Sequence, residues 1–287
     1  MKIAYRELSM SEPYKTVSIS GCGWLGLPLA EYLHQGGYAV TGSKRSEDSL
    51  KGLKLKNING VVFDVYSENA ESSSQPLFGS DVFVANIPPG RRSFDRHKFA
   101  DAMKNLVDRA KSGGVKQFIF ISTSSVYGSI TGVVTENTVC EPDTESGKAH
   151  REIEEYVLSE FGEHGVVLRL TGLVGDERHP GKHLAGRDNV NGGLDPVNLI
   201  HRDDCIEAIS SIISLQRGGE VFHLSATDHP TRSDFYRWAA TGLGMKEPVF
   251  IEDGGQGKMI EPTHTLKTLS LTLKYPSPFD IPLPDVN

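Results

Sequence analysis

The sequence is poor in cysteine and contains no long apolar run. Its three cysteines, Cys22, Cys140 and Cys205, are odd in number and widely spaced. This spacing fits neither a disulfide framework nor a zinc site, so we expect reduced thiols. No stretch approaches the roughly 20 consecutive apolar residues that a membrane-spanning helix needs. The chain is therefore not expected to span a membrane.

An excess of basic residues is also missing. The sequence has 30 Lys and Arg against 37 Asp and Glu, a formal net charge of -7, and no basic stripe interleaved with aromatic residues. This charge would repel a phosphate backbone, so nucleic acid is not an expected partner. The 10 histidines show no HExxH or comparable ligand spacing, so no metal site is predicted.

The amino terminus lacks the apolar stretch of a secretory signal. Residues 1–14 mix basic and acidic side chains, and we expect them to form a frayed tail. Without a signal or a membrane span, the protein is expected in the cytoplasm.

Short runs rich in β-branched residues alternate with segments of helical periodicity. Strands that alternate with helices imply a parallel sheet with right-handed crossovers and both faces covered. The chain is thus predicted to be an α/β protein with a doubly wound parallel sheet. The predicted strands are residues 16–20, 38–42, 61–65, 81–87, 117–122 and 166–170, and the predicted helices are 25–35, 94–111 and 147–161.

The composition changes after the sixth predicted strand. Glycine, histidine, proline and asparagine dominate residues 172–195, after which a strand is predicted at 221–224 and a helix at 232–243. Repeated prolines exclude regular structure over residues 275–287. The predicted units are a large domain of residues 15–172, with 195–224 contributing, and a smaller substrate-binding lobe of 173–194 and 225–287.

A glycine-rich motif joins the first predicted strand to the first predicted helix. Gly21, Gly23 and Gly26 have the GxGxxG spacing, which in this context makes a tight turn, lets a pyrophosphate approach the backbone, and lets helix and strand pack closely. The helix N-terminus favours the phosphates. The alternative is a glycine-rich turn without a ligand. The predicted Rossmann-type dinucleotide loop consists of Gly21, Cys22, Gly23, Trp24, Leu25 and Gly26.

The end of the second predicted strand favours NADP(H). An acid at this position accepts hydrogen bonds from the adenine ribose of NAD. Here no acid is present, whereas Lys44 and Arg45 offer cations, and Ser43 and Ser46 offer hydroxyls, to a 2′-phosphate. The alternative is that Lys44 and Arg45 are only a solvated loop, which would leave NAD open. Further cofactor contacts are expected from Asp64, Val65, Asn86, Ile87, Pro88 and Ser122.

Three motifs carry a family resemblance that extends over nearly the whole chain. They are the glycine loop, residues 121–128 (ISTSSVYG) and residues 198–204 (NLIHRDD). Together they resemble the extended short-chain dehydrogenase/reductase family, in its NAD(P)-dependent epimerase/dehydratase branch. The resemblance implies hydride transfer at a carbinol carbon. It places Thr123 at the active-site Ser or Thr of that family, with Ser124 and Ser125 beside the substrate.

The proton-transfer position departs from that family. The resemblance implies a tyrosinate base and, four residues later, a lysine that anchors the nicotinamide ribose and lowers the pKa of the phenol. Lys148 matches the lysine, but Thr144 occupies the place of the tyrosine. An aliphatic hydroxyl ionises several units above the pKa of about 10 for tyrosine, so Thr144 cannot be the usual base. Tyr127 or Glu145 could be recruited, although packing and surface roles explain them more simply. The candidate catalytic positions are Thr123, Thr144 and Lys148.

A cationic segment lies in the predicted substrate lobe. Such side chains suit a diphosphate or carboxylate, as the nucleotide-sugar substrates of the family would require, and the alternative is a solvated loop. Arg91 and Arg92 could gate the same cleft. The residues of the segment are Arg178, His179, Lys182, His183 and Arg187.

Two functions stay open on these grounds. The first is an NADP-dependent oxidoreductase, epimerase or dehydratase that acts on a nucleotide sugar or a related hydroxyl or carbonyl substrate. The second is a non-catalytic NADP(H)-sensing protein, which the missing tyrosine supports. The resemblance also implies a homodimer through the helices predicted at 94–111 and 147–161.

Overall fold

The computed structural model describes residues 12–67, 75–90, 94–175 and 178–284. Arg91 and Arg92 lie outside the described residues. The strands are β1 (Thr16–Ser20), β2 (Ala39–Lys44), β3 (Asn59–Val62), β4 (Val82–Ala85), β5 (Gln117–Thr123), β6 (Gly132–Val134), β7 (Gly165–Leu170), β8 (Gly172–Val174), β9 (Leu199–His201), β10 (Glu220–Leu224) and β11 (Lys258–Ile260). The α-helices are α1 (Gly26–Gln35), α2 (Lys51–Lys54), α3 (Arg96–Ser112), α4 (Glu145–Phe161), α5 (Arg202–Ser214), α6 (Arg232–Gly242) and α7 (Thr263–Thr268).

Seven of these strands form one parallel sheet in the order β10, β7, β5, β4, β1, β2, β3. The order reverses at β1, which pairs with β2 on one side and with β4 on the other. In open sheets of this kind, ligands bind outside the carboxyl ends of the strands at this reversal. The predicted α/β class and doubly wound parallel sheet are confirmed.

Two apolar clusters cover the two faces of the sheet. Successive side chains of a strand point to opposite faces, so Ile119 packs with the helices α1 and α5, whereas Phe118 and Phe120 pack with α3 and α4. All six residues of β7 are buried, as expected for a strand with helices on both faces. The two pairs of helices thus cover both faces of the sheet.

Two short parallel pairs of strands lie outside the seven-stranded sheet, β8 with β9 and β11 with β6. A separate apolar cluster consists of Val174, Val197, Leu199, Phe235 and Ile281. Within residues 275–284, the one helical piece is the 3₁₀ turn Pro278–Asp280. None of the helices in the described ranges is long and apolar enough to cross a membrane.

Several predicted bounds differ from the structure for local reasons. The helix predicted from residue 147 begins at Glu145, because Thr144 caps it. The helix predicted from residue 94 begins at Arg96, because Asp95 accepts a hydrogen bond from the N–H of Lys98 at 3.0 Å. The sequence analysis did not predict α5 or the short strands β6, β8, β9 and β11.

Candidate functional site

The glycine loop joins β1 to α1 at the reversal of the sheet. Gly21 has φ +95°, and a Cβ atom there would lie 2.2 Å from the backbone oxygen of Asn86. A Cβ on Gly26 would lie 2.4 Å from the Gly21 oxygen. By contrast, Gly23 is exposed, and a Cβ there would meet no atom closer than 4.0 Å. Gly21 and Gly26 are therefore required by the fold, whereas Gly23 faces open space beside the loop.

Residues from β2 and β4 hold this loop in place. The Gly21 N–H donates to the Ser43 Oγ at 3.1 Å, and the Cys22 N–H donates to the Ser43 oxygen at 3.0 Å. The side-chain amide of Asn86 donates to the Gly21 oxygen at 3.0 Å. The hydroxyl of Ser43 is thus engaged in the loop and buried, rather than turned toward a 2′-phosphate.

The side chains of Cys22 and Leu25 are buried, so only their backbone atoms could contact a ligand at the loop. The Cys22 thiol donates to the Ile19 oxygen, with 3.6 Å between sulfur and oxygen. Burial raises the pKa of this thiol to about 12. It is therefore protonated at neutral pH and is no nucleophile.

Two cationic residues follow Ser43 at the end of β2. Lys44 is half-buried and Arg45 is exposed. Ser46 caps the next 3₁₀ turn, and its hydroxyl lies 3.0 Å from that of Ser49. Lys44 ends β2 and Arg45 follows it, so both are close in the chain to Ser43, which binds Gly21.

The remaining predicted cofactor positions lie after β3 and β4. The Asp64 carboxylate accepts a hydrogen bond from the N–H of Tyr66 at 3.0 Å. Val65 and Ile87 are half-buried against the α3 and α4 face, and Pro88 is exposed. All of them stand at the carboxyl edge of the sheet, on the same edge as the glycine loop.

The hydroxyl residues at the end of β5 point to different places. Ser122 is buried and donates to Glu154 at 2.6 Å, so its hydroxyl binds the core rather than a cofactor. Thr123 is half-buried; its hydroxyl accepts from the Ser125 N–H at 3.2 Å and donates to the Ser125 hydroxyl at 3.1 Å. Thr123, Ser124 and Ser125 are all partly accessible, and the first and last form a linked pair of hydroxyls.

Thr144 and Lys148 lie at the start of α4, and the side chain of each is hydrogen-bonded to another residue of that turn. The Thr144 hydroxyl accepts from the Gly147 N–H at 3.0 Å and so caps the helix. The Lys148 ammonium donates to Glu145 at 2.7 Å, and this bond lowers the pKa of the Glu145 carboxyl. Glu145 is therefore ionised and ion-paired at neutral pH, which makes it a weak base.

Tyr127 is excluded as a replacement base, because its side chain is fully buried. Its hydroxyl accepts from Arg169 at 3.0 Å and lies 2.9 Å from His223 Nδ1. His223 Nε2 lies 2.7 Å from the Glu261 oxygen, which can only accept, so Nδ1 is the acceptor for the phenol. Burial raises the pKa of Tyr127 to about 12.

This phenol belongs to a buried polar network that the sequence analysis missed. Arg169 donates to both oxygens of Glu154, at 3.0 and 2.7 Å, and both side chains are almost inaccessible. The sequence held one signal for this network, the charged Arg169 within the otherwise apolar strand of residues 165–170. A charge buried in such a strand is almost always paired with an opposite charge. The network joins β5, α4, β7 and β10 beneath the candidate site.

A second missed residue is Lys258, at the start of β11. Its half-buried ammonium donates to the Gly128 oxygen at 2.7 Å and to the Ser124 oxygen at 3.3 Å. The Asn198 side chain binds the Lys258 oxygen and the Ile260 N–H, both at 2.8 Å, and thereby fixes the strand. Lys258 thus connects the small lobe to the turn that follows Thr123.

The predicted substrate cations do not form one group. His179 is buried, its Nδ1 accepts from the Gly181 N–H, and burial lowers its pKa to about 4. It is therefore neutral at pH 7 and offers no charge to an anion. Lys182 is exposed. The guanidinium of Arg178 lies over the Trp24 ring, with its carbon 4.6 Å from the ring centroid.

Comparison with known sequences identifies the family. The sequence profile of a family described as NAD(P)H-binding matches residues 21–213. The chain belongs to this NAD(P)H-binding family. Over 273 residues the NAD(P)H-binding chain is 35% identical to protein YeeZ of Escherichia coli (strain K12), which covers 94% of this chain and 99% of YeeZ. It is also 28% identical, over 188 residues, to the uncharacterized UDP-glucose epimerase YtcB of Bacillus subtilis (strain 168), covering 56% and 60% of the two chains.

Solved structures share the fold of this NAD(P)H-binding chain. UDP-glucuronic acid 4-epimerase from Bacillus cereus, in complex with NAD, superposes with a TM-score of 0.75 at 18% identity and covers 92% of this chain and 95% of its own. A short-chain dehydrogenase/reductase superfamily protein from Agrobacterium tumefaciens with bound NAD gives a TM-score of 0.76 at 16% identity, covering 92% and 94%. The predicted membership of the extended, epimerase-like short-chain dehydrogenase/reductases is confirmed.

The loop fits the dinucleotide that membership in the NAD(P)H-binding family implies. Within the loop, Gly23 offers an exposed backbone with free space where a side chain would stand. The Leu27 and Leu29 N–H groups already donate to the Gly23 and Leu25 oxygens, at 3.0 and 3.1 Å, and Pro28 has no N–H. The backbone donors for a diphosphate are therefore the N–H groups between Gly23 and the first residue of α1. A diphosphate brought to this place meets backbone donors and the positive end of the helix dipole.

Proposed function

We propose that this protein binds NADP(H) at the carboxyl edge of its sheet and catalyses oxidoreductase, epimerase or dehydratase chemistry at a hydroxyl or carbonyl carbon of a small molecule. The observation that carries the proposal is the geometry of the glycine loop. Gly21 and Gly26 are packed against backbone oxygens, while Gly23 lies open at the start of α1. This combination is what a diphosphate-binding loop requires.

The choice of NADP(H) over NAD(H) rests on Lys44 and Arg45. Within the described ranges neither side chain takes part in an ion pair. Both follow Ser43, whose hydroxyl binds Gly21, so they are close to the loop. Two cations free of carboxylates at this position would bind a 2′-phosphate.

The proposed reaction centre is the hydroxyl pair of Thr123 and Ser125. The bound cofactor supplies the hydride donor or acceptor. Thr123 holds one hydroxyl proton in a chain toward Ser125, so the pair can orient a substrate hydroxyl. Lys148 provides a positive charge at the start of α4, balanced by Glu145. A nucleoside-diphosphate sugar is the substrate class we propose, supported by the names of the relative YtcB and of the superposed epimerase.

Calorimetric titration of the full chain tests the cofactor proposal. We expect NADPH to bind more tightly than NADH, and we expect a Lys44→Ala, Arg45→Ala variant to lose this preference. Each lost charge-assisted hydrogen bond corresponds to about 1.5–3 kcal/mol. Lys54→Ala, which removes an exposed cation on α2, is the matched control. Equal binding of both nucleotides by the wild type would remove the phosphate preference, and no binding of either would overturn the proposal.

Absorbance at the nicotinamide band, together with chromatography of the sugar products, tests the reaction. We expect a cofactor redox change, or sugar isomerisation without net change, when the protein meets a panel of nucleoside-diphosphate sugars. Thr123→Ala should abolish this activity while NADPH binding persists. A Ser129→Ala variant, which removes an exposed hydroxyl that donates to Asp143, is the control.

A non-catalytic NADP(H)-sensing protein is the second candidate. One observation favours it: Thr144 caps a helix where the family places its tyrosine, and Tyr127 is buried. A Thr144→Tyr variant separates the two candidates. An inert wild type and an active variant would indicate a silenced enzyme. Wild-type turnover that survives Thr144→Ala but is lost in Lys148→Ala would indicate an enzyme with another base.

The homodimer through α3 and α4 is part of the same proposal. Sedimentation of the purified chain tests it, with a single species of about twice the 31.4 kDa chain mass as the expected result.

A further inference from the structure

Two guanidinium groups lie over the ring of Trp24. Trp24 lies between the second and third glycines of the loop and is half-exposed. The guanidinium carbon of Arg178 is 4.6 Å from the indole centroid, and that of Arg202 is 4.8 Å from it. Both distances lie within the range of cation–π contacts, which are strongest on tryptophan.

The two arginines come from the small lobe and from α5, not from the loop. Arg178 is held by backbone hydrogen bonds with Gly175, its N–H donating at 2.8 Å and its oxygen accepting at 3.3 Å. Arg202 is the first residue of α5, where His201 is the N-cap. Trp24 is therefore the place where the cofactor loop contacts the chain that follows β8.

The stack brings two guanidinium groups together beside the glycine loop. Because both guanidinium carbons lie within 5 Å of one ring centroid, they are less than about 10 Å apart, close to the screening length of physiological salt. Arg178 is exposed, and within the described residues it forms no ion pair with a carboxylate. Stacking engages the face of a guanidinium and leaves its N–H edge able to donate to phosphate oxygens.

We propose that Arg178 is a diphosphate-binding residue of the cofactor site, oriented by its stack on Trp24. This inference rests on the proposed dinucleotide function. It moves Arg178 from the predicted substrate contacts to the cofactor. The reason is that Trp24 belongs to the loop itself, so the stacked guanidinium stands one side chain away from the backbone that receives the diphosphate. The small lobe thereby contributes directly to holding the cofactor.

Two sources could supply the diphosphate, the dinucleotide or a nucleotide-sugar substrate. Three probes separate them in calorimetric titrations of the full chain. NADPH carries both a diphosphate and a 2′-phosphate. Adenosine 2′-monophosphate carries only the 2′-phosphate, and UDP-glucose carries a diphosphate without the nicotinamide. Circular dichroism on the same samples verifies that each variant is folded.

We expect Arg178→Gln to weaken NADPH binding roughly 10- to 100-fold, the loss of one charge-assisted contact to phosphate. Adenosine 2′-monophosphate should bind unchanged, because it has no diphosphate. Arg178→Lys should fall between the wild type and Arg178→Gln, since an ammonium keeps the charge without the planar fork. Lys267→Gln, which removes an exposed cation of α7, should leave all three affinities within about twofold.

The chain has 2 tryptophans, so the fluorescence of Trp24 can report on the stack once the other one is replaced. In a Trp238→Phe background, Trp24 is the sole indole, and its fluorescence should change on NADPH binding in the Arg178 wild type and less in Arg178→Gln.

Unchanged NADPH affinity in Arg178→Gln would overturn the inference, and weaker binding of UDP-glucose alone would assign Arg178 to the substrate. A wild type that binds neither NADPH nor adenosine 2′-monophosphate would instead overturn the proposed function.

Discussion

The hydroxyl of Thr144 accepts a hydrogen bond from the backbone N–H of Gly147 at 3.0 Å. A residue chosen in the sequence for its place in a catalytic pattern thus has a structural task, the start of α4. The same helix carries Glu154 of the buried network and packs against α3. The start of α4 therefore affects the stability of the whole domain.

Thr144→Ala should destabilise the protein by about 1 kcal/mol, the usual cost of removing a threonine N-cap. Thr144→Ser, which keeps the hydroxyl, should be close to the wild type. Urea denaturation followed by circular dichroism measures both. Equal stability of the alanine variant and the wild type would show that the cap contributes nothing in solution.

Substitutions of two loop glycines should separate folding from ligand binding. Gly21→Ala places a Cβ 2.2 Å from the Asn86 oxygen at φ +95°, so we expect a loss of more than about 1 kcal/mol of stability. Gly23→Ala meets no protein atom closer than 4.0 Å and should keep its stability while losing NADPH affinity, because its methyl group stands where we propose that the diphosphate approaches. Thermal melts with and without NADPH measure the two effects. Normal NADPH binding by Gly23→Ala would place the ligand elsewhere.

The buried pair of Arg169 and Glu154 should be costly to break from one side. We expect Arg169→Met or Glu154→Met to lower the free energy of unfolding by about 3–5 kcal/mol, because each leaves the charge of its partner unpaired in the core. The double variant Arg169→Met, Glu154→Met should lose less than the sum of the two single losses. Guanidinium denaturation of all four proteins gives this coupling, and strictly additive losses would contradict it.

Asp81 should make the free energy of unfolding depend on pH. Burial alone would raise the pKa of this carboxyl, but hydrogen bonds from Lys116, from the N–H groups of Lys15 and Thr16 and from the Thr16 hydroxyl outweigh it and hold the pKa well below its usual range. The unfolded chain has an ordinary aspartate with a pKa of about 4. The contribution of Asp81 is therefore fully present above about pH 4 and is lost as the pH falls through the lower folded-state pKa.

Asp81→Asn should consequently be less stable than the wild type at about pH 6, and the difference should shrink toward about pH 2. Urea midpoints at several pH values measure it. Asp48→Asn removes an exposed carboxylate. It is the control and should show no such trend. A difference that stays constant with pH would argue against the ionised carboxylate as the cause.

Local patterns allowed most of the central sheet to be predicted. The strand β1 was predicted with the bounds it has, and the glycine loop lies between β1 and α1 as expected. Strand ends were less accurate, because the apolar pattern does not show where side chains such as Asn86 and Asp64 begin to bind backbone groups of the loops. The helix α5 was missed although Ile206, Ile209 and Ile213 share a buried face, a spacing that periodicity alone could have found.

The contacts that define the candidate site were beyond local patterns. Trp24 and Arg178 are more than 150 positions apart in the sequence, and only the tertiary fold brings them together. Tyr127 illustrates the opposite case, since its place beside the motif suggested chemistry, whereas its partners from distant strands bury it. Proximity in the sequence predicted backbone geometry well and side-chain partners poorly.

The double attachment of Gly21 also sets an order of events during synthesis. Its N–H is bound by Ser43 and its oxygen by Asn86, so neither neighbour alone fixes the turn. A nascent chain emerging from the ribosome has no complete glycine loop until Asn86 has left the exit tunnel. On the proposed function, a nucleotide can therefore bind the growing polypeptide only after its fourth strand has been delivered.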